Sequence, residues 1–203
     1  MKKFVPLILI LALVLLIVGA TMLYDELSAG MAPPQLATQP SPSTEPSADP
    51  SVEPSQNTAP TETHPQVPDF TVYDREGNAV KLSDYFGKPI VLNFWASWCG
   101  PCKMEMPDFD AAHRDLGGEV QFLMVNMTGG RETLDTATAF LDGVGYTFPV
   151  VFDLDGDAAA TYGVYSLPTT YFIDADGHGV AYAQGAIDAE TLQRGIDMIY
   201  TAD

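Results

Sequence analysis

With 203 residues, 27 acidic against 9 basic side chains and a formal net charge of −18, the chain has no basic patch to offer nucleic acid, and an anionic membrane surface would repel it. Its three histidines, His64, His113 and His178, and two cysteines lack the paired spacing of a zinc module, so no metal is expected.

The first segment, residues 1–31, contains an uncharged apolar run from Phe4 to Leu23, and about 20 such residues suffice to cross a bilayer as a helix. Lys2 and Lys3 precede the run and Asp25 and Glu26 follow it, which places the N-terminus in the cytoplasm and the rest of the chain outside. The run is longer than the ~7–15 residues of a signal-peptide core, which favours an uncleaved single-pass anchor. Cleavage beside Val18 and Ala20 would instead release a secreted protein of the same topology. No cysteine follows the run to carry a lipid.

Residues 32–67 are almost wholly Pro, Ser, Thr, Ala and acidic. Such a segment cannot offset its ordering entropy and reads as a disordered, extended tether, with His64 solvated within it. Residues 68–203 then have the size and apolar patterning of one domain. Strands are expected at Phe70–Tyr73 and Val80–Leu82, and a buried strand at Ile90–Trp95, whose "IVLNFW" is nearly all apolar. A helix starts at the cysteine pair and runs toward Asp115, bent at Pro107. Next come a strand at Val120–Asn126, a helix at Glu132–Leu141, a strand at Pro149–Asp153 and a short helix at Asp157–Tyr162. Strands at Thr169–Asp174 and Val180–Gln184 and a helix capped by Asp188 close the chain. Strands alternating with helices predict an α/β fold, a mixed central sheet flanked by helices.

Cys99 and Cys102, the only cysteines, lie in "FWASWCGPCKMEMP" directly after the buried strand. A disulfide across two intervening residues removes little entropy from the unfolded chain, so it would be a poor staple. As a reagent the pair makes better sense. Cys99 sits at a helix N-terminus, where the macrodipole and free N–H groups stabilise a thiolate, and reads as the attacking sulfur. Cys102, one turn in and shielded, reads as the resolving thiol. Pro101 suits the first helical turn, Gly100 lets a partner backbone approach, and Trp98 would cover the sulfurs from one side. Phe94, Trp95 and Tyr162 read as core. The redox group is the cysteine pair itself, so no cofactor is expected.

With these residues the sequence resembles the thioredoxin superfamily, and within it the membrane-anchored ResA, TlpA and CcmG type of thiol-disulfide oxidoreductase. The resemblance covers essentially all of residues 68–203 and rests on "VLNFWASWCGPCKMEMP" and "YGVYSLPTTYFIDADG". It implies a thioredoxin-like fold and a cis-proline loop at Leu167-Pro168-Thr169, with Pro168 beside the cysteines as the substrate-side wall. It also implies that Met127–Asp153 is a subfamily insert, although the "TGGRET" that opens it carries no distinctive signal. Thioredoxin proper has a buried aspartate where this chain has Asn93. Glu105, three residues after Cys102, matches instead the acidic residue of the ResA-type proteins. It reads either as a surface carboxylate or as a partly buried one whose proton affinity desolvation raises, able to accept the proton of Cys102.

The activity implied is reduction of disulfides in exported proteins, with apocytochrome c as the family-based substrate and a membrane-embedded electron donor as the second partner. Gly-Pro between the cysteines and a membrane tether both point toward a reductant. A thioredoxin-shaped binding module with an idle disulfide, or a peroxidase-like protein, are the alternatives. The peroxidase would need a threonine shortly before a lone reactive cysteine.

Overall fold

Eight strands and four α-helices make up the residues that the computed structural model describes, 37–38 and 64–201. In chain order they are β1 (Ala37–Thr38), β2 (Thr71–Tyr73), β3 (Ala79–Lys81), β4 (Ile90–Trp95), α1 (Gly100–Leu116), β5 (Gln121–Asn126), α2 (Leu134–Val144), β6 (Val150–Phe152), α3 (Asp157–Thr161), β7 (Thr169–Ile173), β8 (Gly179–Gln184) and α4 (Ala189–Ile199). They form one mixed sheet in the order β1-β8-β7-β4-β5-β6-β2-β3. The β4–β5 and β5–β6 pairs are parallel, joined through α1 and α2, and the hairpin of β7 and β8 is antiparallel. This is the α/β architecture expected from the sequence, with each predicted element within a few residues of its expected bounds.

All six residues of β4 are buried because the strand is central and covered on both faces. Val91 and Trp95 face one core, shared with Cys99, Cys102, Met106 and Phe109 of the following helix, with Phe122 and Met124 of β5, and with Leu192 and Ile196 of α4. Leu92 and Phe94 face the other, with Phe70, Val72, Leu123 and Val125. The two-residue period of the strand therefore directs Asn93 to the same side as the cysteine helix.

Three features differ from the sequence reading. Leu82, expected to end a strand, opens a 3-10 turn at Leu82–Tyr85, because Asp84 accepts the Lys81 N–H at 2.9 Å. The folded chain begins before Pro68: Val67 is buried and donates its N–H to Gly177 O at 2.9 Å, and Gln66 bridges His178. Within the segment read as a tether, β1 adds two residues to the sheet edge, pairing Ala37 with Tyr182 and Thr38 with Ala181. Tether residues 32–36 and 39–63 and the apolar run at Phe4–Leu23 lie outside the described residues, among which no helix is long and apolar enough to cross a membrane.

Candidate active site

β4 ends at Trp95, and the chain turns sharply before α1, with the Cys99 N–H donating to Ala96 O at 3.1 Å. Cys99 is the N-cap of α1, where a polar side chain answers a free N–H of the first turn. Its Sγ accepts the Cys102 N–H at 3.2 Å. Pro101 occupies the first turn, where its missing N–H costs nothing, and Gly100 beside it is exposed with open space around its Cα. The two cysteines are joined as a disulfide with Cα atoms 5.3 Å apart. Cys99 retains 4% of its surface and Cys102 none. Trp98 is half exposed, and the Arg131 guanidinium lies over its ring at 4.7 Å from the centroid.

The Leu167-Pro168 peptide is cis. Because β7 pairs antiparallel with β4 in the register Phe94↔Thr169, Pro168 stands at the sheet end from which the cysteine turn departs. Leu167 packs against both cores, the Pro168 carbonyl accepts the Gly185 N–H at 2.9 Å, and buried Thr169 donates its hydroxyl to Ser166 O at 2.9 Å. Sequence positions nearly seventy residues apart thus meet at one edge.

Glu105 is buried, with 2% exposure, one turn beyond Cys102 on α1. This excludes the surface-carboxylate reading. The Asn93 amide donates to its Oε1 at 2.8 Å and the Ile187 N–H to its Oε2 at 3.0 Å. Burial raises its proton affinity from the ordinary 4.5 to about 7; the Ile187 and Asn93 hydrogen bonds oppose this in part, and the charge of Asp108 adds to it. Asn93 also donates to Thr170 Oγ1 at 3.0 Å, which leaves its own Oδ1 buried without a partner. An aspartate at 93 would place a second charge against Glu105; asparagine supplies a donor instead.

A family model described as the AhpC/TSA family matches residues 64–182. The chain belongs to that family. Thiol-disulfide oxidoreductase ResA of Geobacillus thermodenitrificans (strain NG80-2) is 36% identical over 133 residues, which cover 65% of this chain and 75% of the relative. Among solved structures, StoA of Bacillus subtilis aligns with a TM-score of 0.56 and 28% identity, covering 64% of this chain and 98% of the other. The exposed lipoprotein thioredoxin Etrx1 of Streptococcus pneumoniae strain TIGR4 aligns with a TM-score of 0.57 and 32% identity, over 64% and 98%. The protein is a thiol-disulfide oxidoreductase with a thioredoxin-like domain.

In this oxidoreductase the sequence-predicted residues Trp98, Cys99, Gly100, Pro101, Cys102, Leu167, Pro168 and Thr169 gather at one sheet edge, with Glu105 beneath. Two contributors escaped the sequence reading. Thr170 is buried and partners Asn93. Glu132 is also buried and accepts from Ser97, two residues before Cys99. The signal available for Glu132 was its place just before Thr133, the N-cap of α2. That position marks a helix start and says nothing of what the carboxylate faces.

Proposed function

We propose that this oxidoreductase works outside the cytoplasm as a membrane-tethered reductant of disulfides in exported proteins. Cys99 is the nucleophile, Cys102 the resolving thiol, Glu105 the proton acceptor and Pro168 the substrate-side wall. The observation that carries the reading is the Cys102 N–H aimed at Cys99 Sγ from the start of a 17-residue helix. Once the disulfide opens, that donor and the helix N-terminus favour the Cys99 thiolate over the thiol. The thiolate attacks one sulfur of a substrate disulfide, and the other leaves as a thiolate that takes a proton from solvent. Cys102, fully buried, loses its proton to Glu105 and attacks Cys99 Sγ. The substrate departs with two thiols and the pair is oxidised, the state of the structure.

Glu105 suits this role by position and by proton affinity. It shares a face of α1 with Cys102 at a spacing of three residues, and a carboxyl titrating near 7 can take and return a proton at ordinary pH. Tethering is supported by the apolar run at Phe4–Leu23 with its cationic N-terminal flank. A structurally similar relative is itself an exposed lipoprotein. No cysteine directly follows the run to carry a lipid, so the apolar run itself is the proposed anchor. Apocytochrome c, whose thiols must be free before haem attachment, is the proposed substrate, and a membrane-embedded carrier the proposed electron donor.

The test is the equilibrium of the purified domain with glutathione, combined with turnover of insulin in the presence of dithiothreitol. A low potential with turnover supports the reductant. A potential as high as that of strong disulfide-forming oxidants reverses the direction of flow, and absence of turnover leaves a binding module with an idle disulfide.

A further inference from the structure

The mechanism above leaves a second buried carboxylate at the same sheet edge without a task. Glu132 is 2% exposed. Its carboxylate accepts the backbone N–H of Ser97, the Ser97 hydroxyl at 2.9 Å and the Thr136 hydroxyl at 2.6 Å. No cation pairs with it among the described residues. Taking a carboxylate out of water is costly unless donors replace the lost hydration, and two of the three donors here belong to one residue of the cysteine turn.

The surroundings make Glu132 a fixed point. Gly129 and Glu132 exchange backbone hydrogen bonds at 2.9 and 3.0 Å, closing a tight turn in which Gly129 and Gly130 take φ values of 140° and 57° that other residues rarely adopt. Thr133 then caps α2 through reciprocal bonds with Thr136. From this turn Glu132 reaches Ser97, while Arg131 covers the ring of Trp98. Adjacent residues of one turn therefore hold adjacent residues of the other. Since the Cys99 N–H is bonded to Ala96 O, Ser97 and Trp98 are the two central residues of the turn that leads into the nucleophile.

We propose that Glu132 is a positioning residue of the redox site: through Ser97 it fixes the Ala96–Cys99 turn, and so the direction from which Cys99 Sγ meets a substrate disulfide. The inference rests on the oxidoreductase reading and deepens it. Thiol–disulfide exchange needs the attacking sulfur in line with the bond it breaks, so a loosened turn slows it. Alkylation by iodoacetamide is also an in-line displacement, but so small a reagent can approach Cys99 Sγ from any open side, and its rate reports chiefly on thiolate content.

The experiment measures both rates on the reduced full-length chain in a Cys102→Ala background, where Cys99 forms a stable mixed disulfide with a disulfide-containing peptide. Glu132→Ala is expected to slow mixed-disulfide formation by about tenfold and alkylation of Cys99 by less than about twofold. Glu132→Gln, which keeps one acceptor oxygen for the Ser97 N–H, should recover most of the exchange rate. Equal exchange rates in parent and Glu132→Ala overturn the proposal, as does an equal slowing of both reactions, which would mean an effect on the thiolate. Should Glu132→Ala fail to fold, Ser97→Ala carries the test, with exchange about threefold slower expected and an unchanged rate overturning the proposal. A Cys102→Ala parent that forms no mixed disulfide would instead refute the oxidoreductase reading, a distinguishable result.

Discussion

Replacing Glu105 by glutamine removes a buried charge and keeps its shape, and the consequence for stability follows from the structure. A carboxyl that titrates at about 7 in the folded chain, against 4.5 ordinarily, holds its proton more tightly folded than unfolded. Between those two pH values the native state binds more protons, so this carboxyl's contribution to stability falls as pH rises through the window, and the decrement is complete above 7. At ~1.36 kcal/mol per pH unit this corresponds to roughly 3 kcal/mol. Glutamine does not titrate, so the variant lacks this loss. It can also be hydrogen-bonded: if the Asn93 amide turns over, its Oδ1, now without a partner, accepts from the glutamine NH2 and the Thr170 hydroxyl, while the Ile187 N–H keeps its acceptor. Urea unfolding of the oxidised parent and Glu105→Gln from pH 4 to 8.5 measures the difference. The two should be close at pH 4 and diverge by about 3 kcal/mol in favour of the variant by pH 8. Parallel stability curves across that range would refute a displaced Glu105, and with it the proposed proton acceptor.

In the reduced protein, Glu105→Gln should slow release of a mixed disulfide at pH 7, read by quenched-flow trapping, without slowing its formation. Cys102→Ala should accumulate mixed disulfides with partners and Cys99→Ala should accumulate none; non-reducing gels after acid quench check the pair. Gly195→Ala would drive a Cβ into the ring of Phe172 in the core, lowering stability by about 1–3 kcal/mol in thermal melts while the cysteine chemistry persists. Asp153→Ala removes the acceptor for the Ala158 and Ala159 N–H groups at 3.1 and 2.8 Å. It should destabilise the chain by about 1–3 kcal/mol, measured by urea unfolding.

The readable parts of this fold were those written in local chemistry. The unbroken apolar run at Ile90–Trp95 announces a strand covered on both faces, and the Cys-Gly-Pro-Cys that follows announces a helix start with sulfur at its positive end. Pro168 was readable only through resemblance, since nothing in "SLPTT" indicates that β7 runs back along β4 to deliver it there. Glu105 was ambiguous for a stated reason. A helix in which Lys103 and Met104 are exposed and Met106 is buried fits a carboxylate on either side, and only the packing of Ile187 and Asn93 decides. Glu132 could not be read at all, because its partner Ser97 lies 35 residues earlier in a turn with no periodicity of its own. The boundary before Pro68 was missed because Gln66 and Val67 join the fold mainly through backbone bonds to the β7–β8 hairpin, and composition does not record backbone bonds.

The two buried carboxylates divide the site's work according to what donates to them. Glu105 receives two hydrogen bonds, one from a side-chain amide able to reverse, and it lies one turn beyond the resolving thiol. Its surroundings can satisfy both a carboxylate and a carboxylic acid, which is what a group that takes and returns a proton requires. Glu132 receives three, two of them from Ser97 at the centre of the nucleophile turn, within a glycine-closed turn that gives it little freedom to move. The proposed proton carrier beneath Cys102 and the proposed anchor beside Cys99 are therefore distinct uses of the same side chain. Exchanging their environments, with aspartate at 93 or alanine at 97, should weaken the resolving step in the first case and the attack in the second.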